Sequence, residues 1–283
     1  MCISMKKKPL ESTKRNHNLL FIQLFVEVIE MVMVYFSGTG NSKFIAENFA
    51  KKMNIKAYSI EQELDFADIF NQVNTIALCY PIYGSCVSRI MREFVKRYQG
   101  YFASKKLIIF CTQMLFSGDG ARAFARLIPN CEQRVIYAEH FLMPNNICNF
   151  VLFPMTEKEK ATKPLKALNK LDQICLDLQN GIVKKRGWNA FSTLLGKSQN
   201  IAYPKKEAKA KSSFSTDDTC IGCGLCVKNC PTNNLEMANG KVIQKGNCTL
   251  CYRCVNLCPK QSCTVYFKKK PKKQYKGISN DLN

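Results

Sequence analysis

The stretch Met31-Val-Met-Val-Tyr-Phe-Ser-Gly-Thr-Gly-Asn-Ser42 decides the fold of the larger part of this chain. Its first six residues form an apolar run, which is typical of a strand buried on both faces of a parallel sheet. The glycine-containing turn that follows leads into Asn41–Met53, where apolar residues recur on one helical face. The stretch therefore predicts a strand, a tight turn and a helix, in that order.

Short apolar runs alternate with helical patterns as far as residue 140. Four more strands are predicted, at Ile55–Ile60, Asn74–Tyr80, Lys105–Cys111 and Gln133–His140. Helices are predicted at Val87–Tyr98, Ala121–Ile128 and, beyond the last strand, Thr156–Asn180. Five strands with intervening helices predict an α/β fold with a doubly wound parallel five-stranded sheet.

The loop after the first strand has the composition of a phosphate cradle. Its glycines allow a tight turn that exposes backbone N–H groups, and its hydroxyl and amide side chains offer further donors. The N-terminus of the following helix carries the positive end of the helix dipole. The loop lacks both the Gly-Lys-Ser of a P-loop and the third glycine of a dinucleotide fingerprint. The predicted phosphate-binding residues are Ser37, Gly38, Thr39, Gly40, Asn41 and Ser42.

The run Tyr35–Ser42 resembles the FMN phosphate loop of flavodoxins, and residues 31–145 resemble that family in their order of strands. The resemblance implies that FMN is bound and that the loops after the third and fourth strands hold its ring. In this chain those loops are residues 81–85 and 112–120, and the candidates for contact are Pro81, Tyr83, Gly84, Phe116 and Gly118. Tyr83 is the first candidate for stacking on the ring and Phe116 the second, although both aromatic side chains could simply pack.

The segment Gly118–Ala123 also matches the pattern Gly-x-Gly-x-x-Ala of nucleotide-binding loops. A nicotinamide cofactor would require this pattern after the first strand, whereas here it follows the fourth. We therefore favour a flavin contact for this loop.

A second pattern fills the C-terminal part of the chain. Cys220, Cys223, Cys226 and Cys230 are followed by Pro231, and the same spacing returns 28 residues later. The second set is Cys248, Cys251, Cys254 and Cys258, followed by Pro259. Two-residue gaps let three thiolates converge on one iron–sulfur cluster, while the fourth cysteine reaches the other cluster.

The spacing therefore predicts two clusters with exchanged ligands. The first would bind Cys220, Cys223, Cys226 and Cys258, and the second Cys248, Cys251, Cys254 and Cys230. Residues 217–267 resemble bacterial ferredoxins with two [4Fe–4S] clusters, which form a small α+β domain. Paired zinc sites are the alternative, but these usually separate two Cys-x-x-Cys pairs by a longer spacer.

The chain is strongly basic, with 42 Lys and Arg against 21 Asp and Glu in 283 residues. The excess is +6 in residues 1–150 and +15 in residues 151–283. A basic surface suits an acidic redox protein, and lysine runs without interleaved aromatic residues argue against nucleic acid. Three acidic or amide side chains in Leu19–Phe36 argue against stable membrane insertion. Cysteines kept available for metal predict a reducing, cytoplasmic location.

Residues 31–267 together resemble the fusion proteins that join a flavodoxin to a ferredoxin. We expect a flavodoxin-like FMN domain at 31–150, a helical connector and basic linker at 151–216 and a ferredoxin domain at 217–267. Residues 1–30 are expected to lie outside the fold, and residues 268–283 to form a mobile lysine-rich tail. The resemblance implies an electron-transfer protein that relays electrons between its clusters and FMN. The alternative is a basic binding or redox-sensing module in which the clusters are structural or regulatory.

Overall fold

A computed structural model describes residues 30–150 and 152–278 of the chain. Its main sheet contains the five predicted strands, together with a short antiparallel extension and a short sixth parallel strand. The strands are β1 (Met31–Tyr35), β2 (Lys56–Ser59), β3 (Thr75–Tyr83), β4 (Cys86–Val87), β5 (Lys106–Gln113), β6 (Val135–Leu142) and β7 (Lys184–Lys185). Residues 1–30, which were expected to lie outside the fold, are not among the described residues, apart from Glu30.

The strand order is β2-β1-β3-β5-β6-β7, and every pairing along this path is parallel. The predicted doubly wound α/β fold is therefore confirmed. The order reverses between β1 and β3, because the chain passes from β1 to one edge and from β3 to the other. Ligands of such sheets bind beyond the carboxyl ends of the strands at this reversal point. The loops after β1, β3 and β5 meet there.

Helices cover both faces of this sheet, because alternate residues of each strand point to opposite sides. In β1, Val32 and Val34 belong to one hydrophobic core and Met31 and Met33 to the other. The helices of this part of the chain are α1 (Asn41–Met53), α2 (Phe66–Asn71), α3 (Arg89–Arg97), α4 (Gln99–Ser104), α5 (Gly120–Ala125), α6 (Glu157–Gln179) and α7 (Ala190–Ala210).

Helix α6 matches the prediction for Thr156–Asn180 and begins with a capping box formed by Thr156 and Glu159. It does more than connect two domains, because Leu171 and Ile174 are buried in the same core as Met33. The segment expected to be a connector thus packs a helix against the sheet and adds strand β7 at its edge.

The basic linker expected within residues 151–216 is not a linker at Lys205–Lys211, since most of this segment is the last part of α7. The helix is capped by Asn189, whose side chain accepts a hydrogen bond from the amide of Ser192 at 2.8 Å. Alanine, lysine and glutamate are strong helix formers, so the run continues a helix while its lysines face water. Tyr203 holds α7 on the loop between β3 and β4.

The ferredoxin-like part contains two small antiparallel sheets and two short helices around its own hydrophobic core. Its elements are β8 (Ser215–Thr216), α8 (Leu225–Lys228), β9 (Leu235–Ala238), β10 (Lys241–Gln244), α9 (Arg253–Leu257) and β11 (Cys263–Thr264). Asn239 and Gly240 both have positive φ angles, 49° and 72°, as a tight hairpin turn between β9 and β10 requires. The predicted small α+β domain is present.

The expectation of a mobile C-terminal tail is also wrong for residues 268–278. Tyr275 is only 2% exposed, and Ile278 packs against the core that contains Met33. Burial of an aromatic and a branched aliphatic side chain stabilises an ordered course for this lysine-rich segment. Within residues 30–150 and 152–278, no helix is long and apolar enough to span a membrane.

We predict that Gly84→Ala lowers the thermal midpoint more than Gly181→Ala. Both glycines have φ in the left-handed region, 56° and 68°, where alanine is strained by about 1 kcal/mol. Only at Gly84 would the new Cβ collide, 2.7 Å from a ring carbon of Tyr203, whereas Gly181 faces open space. The collision should add about 1–3 kcal/mol. Thermal unfolding followed by circular dichroism measures the difference, and equal midpoints would show that α7 does not pack here.

Candidate functional site

The loop between β1 and α1 presents backbone N–H groups at the carboxyl edge of the sheet. Gly40 closes the turn with a φ of 106°, which glycine adopts without strain. The amides of Gly38, Thr39, Asn41 and Ser42 donate no hydrogen bond to any described residue. They surround the N-terminus of a 13-residue helix, whose dipole is positive there. A phosphate group fits this set of donors.

The polar side chains of the loop are occupied by contacts within the protein. Ser37 Oγ accepts a hydrogen bond from Gly40 N at 3.1 Å, and Thr39 Oγ1 accepts one from Asn146 Nδ2 at 2.9 Å. Asn41 Nδ2 donates to Pro144 O at 3.0 Å. Ser42 Oγ lies 2.8 Å from Thr112 Oγ1. These contacts fix the shape of the loop. The hydroxyls of Ser37 and Thr39 accept in them, so each keeps a proton that it can donate beside the four backbone amides.

A cleft opens beside this loop. Seven residues singled out from the sequence line it: Ser37, Gly38, Thr39, Asn41, Ser42, Pro81 and Tyr83. Seven further residues complete the wall: Ile82, Thr112, Gln113, Met114, Pro144, Asn146 and Ile147. The sequence indicated the loops in which most of them lie but not the individual side chains, because loop side-chain directions depend on tertiary packing.

Three predicted ring contacts face α7 and lie outside the residues that line the cleft. The Phe116 ring is stacked 6.1 Å from that of Phe191 and remains 45% exposed. A Cβ on Gly118 would lie 2.7 Å from the carbonyl oxygen of Ser192, and Gly84 meets Tyr203. Helix α7, which the sequence did not predict, covers this side of the loops.

Tyr83 lies in the cleft wall between the flavodoxin-like and ferredoxin-like parts. Its hydroxyl is buried without a hydrogen-bond partner among the described residues. Burial raises the pKa of Tyr83 well above its ordinary value, and nearby Cys251 adds to the effect. The side chain is thus held as a neutral phenol between the cleft and the second cysteine repeat.

The eight cysteines of the two repeats surround two separate cavities. One is lined by Cys220, Cys223, Cys226 and Cys258. The other is lined by Cys230, Cys248, Cys251 and Cys254. We call them the distal cavity and the proximal cavity. Each combines three cysteines of one repeat with the fourth of the other, in the grouping that the spacing predicts.

The four thiols that line each cavity are spread around it. Among residues 30–150 and 152–278, no three His, Cys, Asp or Glu side chains converge closely enough to hold a single metal ion. Zinc needs its ligands about 2.0–2.3 Å from one point. Four thiols distributed around a cavity instead fit a cluster of several iron and sulfur atoms.

Hydrogen bonds to the sulfur atoms are already in place. The amide of Asn234 donates to Cys230 Sγ at 3.3 Å, and Ser262 Oγ lies 3.2 Å from Cys258 Sγ. A hydrogen bond from Cys263 lowers the pKa of Cys226 below its ordinary value. Such bonds favour the thiolate that ligation requires and tune the reduction potential of a bound cluster.

Arg253 joins the second cysteine repeat to the phosphate loop. Its guanidinium donates to the carbonyls of Ser37 at 2.9 Å and Gly38 at 3.1 Å. It also forms two hydrogen bonds of 2.8 Å with the carboxylate of Glu61, which follows β2. A further bond of 3.2 Å reaches the carbonyl of Asn229 in the first repeat. Only a planar, five-donor group can meet these acceptors together.

Gly38 lies directly against the same repeat. A Cβ at this position would collide with the carbonyl oxygen of Cys251. The sequence assigned Gly38 to the tight turn, but its φ is not in the left-handed region. Close approach of Cys251 is therefore the stronger reason for glycine here, and this contact brings the wall of the proximal cavity against the phosphate loop.

Comparison with known proteins matches two segments of the chain to known domain families. The flavodoxin domain model matches residues 32–146, and the 4Fe-4S dicluster domain model matches residues 219–262. A ferredoxin of Methanothermococcus thermolithotrophicus is 38% identical over 52 residues, which are 17% of this chain and 87% of that protein.

Solved structures similar to the chain include a flavodoxin from the domain Archaea, at 16% identity and a TM-score of 0.35. The match covers 53% of this chain and 98% of that one. A putative flavoprotein from Bacteroides eggerthii has the same identity and TM-score and covers 51% of this chain and 96% of its own.

The two domains define the protein as an iron–sulfur flavoprotein of electron transfer, with [4Fe–4S] clusters and FMN as its cofactors. The chain belongs to the ferredoxin family through its C-terminal domain, and it joins that domain to a flavodoxin domain.

We predict that Gly40→Val weakens FMN binding more than Ser42→Ala. Valine is strained at a φ of 106° and would distort the donor set, whereas Ser42→Ala removes one hydrogen bond to Thr112. Loss of that bond should cost about 0.5–1.5 kcal/mol, or roughly a twofold to twelvefold change in affinity. Flavin fluorescence titration of both variants gives the ranking. The reverse order would mean that side chains, rather than the backbone, anchor the phosphate.

Proposed function

We propose that the chain relays single electrons between an external redox protein, two [4Fe–4S] clusters and FMN. The distal cavity would hold one cluster on Cys220, Cys223, Cys226 and Cys258, and the proximal cavity the other on Cys230, Cys248, Cys251 and Cys254. The cleft beside the phosphate loop would hold FMN. Clusters transfer one electron at a time and FMN accepts one or two, so their combination couples one-electron donors to a two-electron acceptor.

The contact between the second cysteine repeat and the phosphate loop carries this proposal. Arg253 lies between two ligands of the proximal cavity and bonds to Ser37 and Gly38 of the loop. The backbone of Cys251 touches Gly38 itself. A cluster that served only to fold the small domain would not need its ligand loop embedded in the flavin site. The contact supports direct exchange between the proximal cluster and the flavin.

The surroundings of the distal cavity suit the entry of electrons from another protein. Ile221 and Leu225, which line it, are 60% and 41% exposed, and Lys260 stands at its rim. Exposed apolar side chains beside a cation suit transient docking of another protein. We therefore place the external partner at this cavity.

The charge of the chain favours an acidic partner. Residues 151–283 carry an excess of 15 positive charges, and exposed cations attract an acidic surface over about 10 Å at moderate salt. The fifteen cysteines among the described residues are all free thiols. This supports a reducing compartment, and we propose the cytoplasm.

Cys258→Ala should abolish the distal cluster while sparing FMN. Cys258 is the one ligand that the second repeat supplies to the distal cavity, and its side chain belongs to the ferredoxin-like core. In anaerobic stopped-flow experiments with a reduced acidic ferredoxin, flavin reduction should be fast in the wild type and largely lost in the variant. Dithionite should still reduce the flavin of both. Raising the salt concentration should slow the wild type, because docking is electrostatic.

Cys175→Ala is the matched control, since it removes a buried thiol from the flavodoxin-like core and not from a cluster cavity. It should reduce flavin at the wild-type rate. Equal rates for wild type and Cys258→Ala would show that the distal cluster is not the entry route. That result would favour the alternative of a module with structural or regulatory clusters.

A further inference from the structure

The last described residues cross the flavodoxin-like domain at its phosphate loop. We call residues 273–278 the C-terminal strap. The Tyr275 hydroxyl donates a hydrogen bond to the side-chain oxygen of Asn41, the first residue of α1. Tyr275 is 2% exposed, so this bond is shielded from water. Because the Asn41 amide nitrogen donates to Pro144, both ends of the Asn41 side chain are fixed.

The strap is anchored at its other side to the ligand segment of the clusters. The Tyr275 amide donates to the side-chain oxygen of Asn256 at 2.7 Å. Gln274 donates to the carbonyls of Val255 at 2.8 Å and of Cys258 at 2.7 Å. Asn256 lies between Cys254 and Cys258, which belong to different cavities. The position of Tyr275 is therefore set by the cluster-bearing segment.

The strap also touches the loop through its backbone. The Cα of Gly277 would lie 3.6 Å from a Cβ on Gly40, and a Cβ on Gly277 would lie 3.6 Å from the carbonyl oxygen of Thr39. Gly277 has a φ of 88°, which glycine adopts readily. The strap thus follows the back of the loop at van der Waals distance.

We propose that the C-terminal strap is part of the flavin phosphate site and that Tyr275 is a positioning residue for it. Tyr275 holds the Asn41 side chain, and Asn41 in turn fixes the start of α1. The four unbonded amides of the loop then point in one direction before the ligand arrives, which lowers the cost of binding. The inference rests on the proposed FMN cleft and adds a segment that sequence reasoning left outside the fold.

The role of Tyr275 predicts an effect that depends on the phosphate group. Loss of its hydroxyl should weaken the binding of FMN and leave the binding of riboflavin, which lacks the phosphate, unchanged. A general loss of stability would weaken both flavins. One shielded hydrogen bond corresponds to roughly a twofold to twelvefold loss of FMN affinity, or about 0.5–1.5 kcal/mol.

The test is fluorescence titration of FMN and of riboflavin into flavin-free, cluster-loaded full-length protein. The proteins are the wild type, Tyr275→Phe, Asn41→Ala and the double variant. We expect Tyr275→Phe to weaken FMN alone. We expect the double variant to bind FMN no more weakly than Asn41→Ala, because Tyr275 acts through Asn41. Tyr137→Phe is the matched control, since its buried hydroxyl donates to Asp177 at 2.7 Å, away from the loop.

Three results would overturn the role of Tyr275: unchanged FMN affinity in Tyr275→Phe, equal weakening of both flavins, or additive effects in the double variant. Failure of the wild type itself to bind FMN would instead remove the proposed flavin site. The two failures are therefore distinguishable in the same experiment.

Discussion

The hydrogen-bond set of Arg253 is the interaction on which the rest of the structure depends. One guanidinium links the phosphate loop, the carboxylate of Glu61 and the carbonyl of Asn229. Its side chain is 19% exposed, so its bonds are partly desolvated and stronger than those of a surface pair. Burial lowers the pKa of Arg253, but the bonds to Glu61 outweigh it and favour the charged form. Removing the arginine would leave buried carbonyls without a donor.

This interaction links two domains with largely separate cores. The ferredoxin-like core is its own cluster of residues, yet Cys251 packs into the flavodoxin-like core. The two cavities are therefore unequal: the proximal one shares backbone contacts with the phosphate loop, and the distal one is bordered by exposed Ile221. Unequal surroundings are what a directional electron path requires, because burial and hydrogen bonds set the potential of each cluster.

The features that could be predicted from the sequence are those that depend on the spacing of residues near one another in the chain. The apolar run at Met31–Phe36 gave strand β1, and the 28-residue repeat of cysteines gave the grouping around the two cavities. Local spacing carried no signal for contacts between distant segments. Arg253 looked like one more charge in a basic chain, and Gly38 looked like a turn residue. Each is explained by a partner more than 100 residues away.

Two errors have the same physical origin. The run Lys205–Lys211 was interpreted as a linker because of its charge, but its alanines favour helix and Tyr203 anchors it. The lysines after residue 267 led to the prediction of a mobile tail, whereas the buried side chain of Tyr275 holds the strap in place. In both segments the prediction was based on the charge of the lysines, whereas the packing of one aromatic side chain decides the structure.

The measurement that tests the account most directly is the rate of flavin reduction after rapid pulse reduction of the clusters, over a tenfold range of protein concentration. Direct contact between the proximal cavity and the flavin cleft predicts a first-order rate that is independent of concentration. Arg253→Gln should lower this rate in the fraction of molecules that carries both clusters and FMN. A rate that rises in proportion to protein concentration would mean that electrons pass between molecules, and the contact at Arg253 would then have no part in the relay.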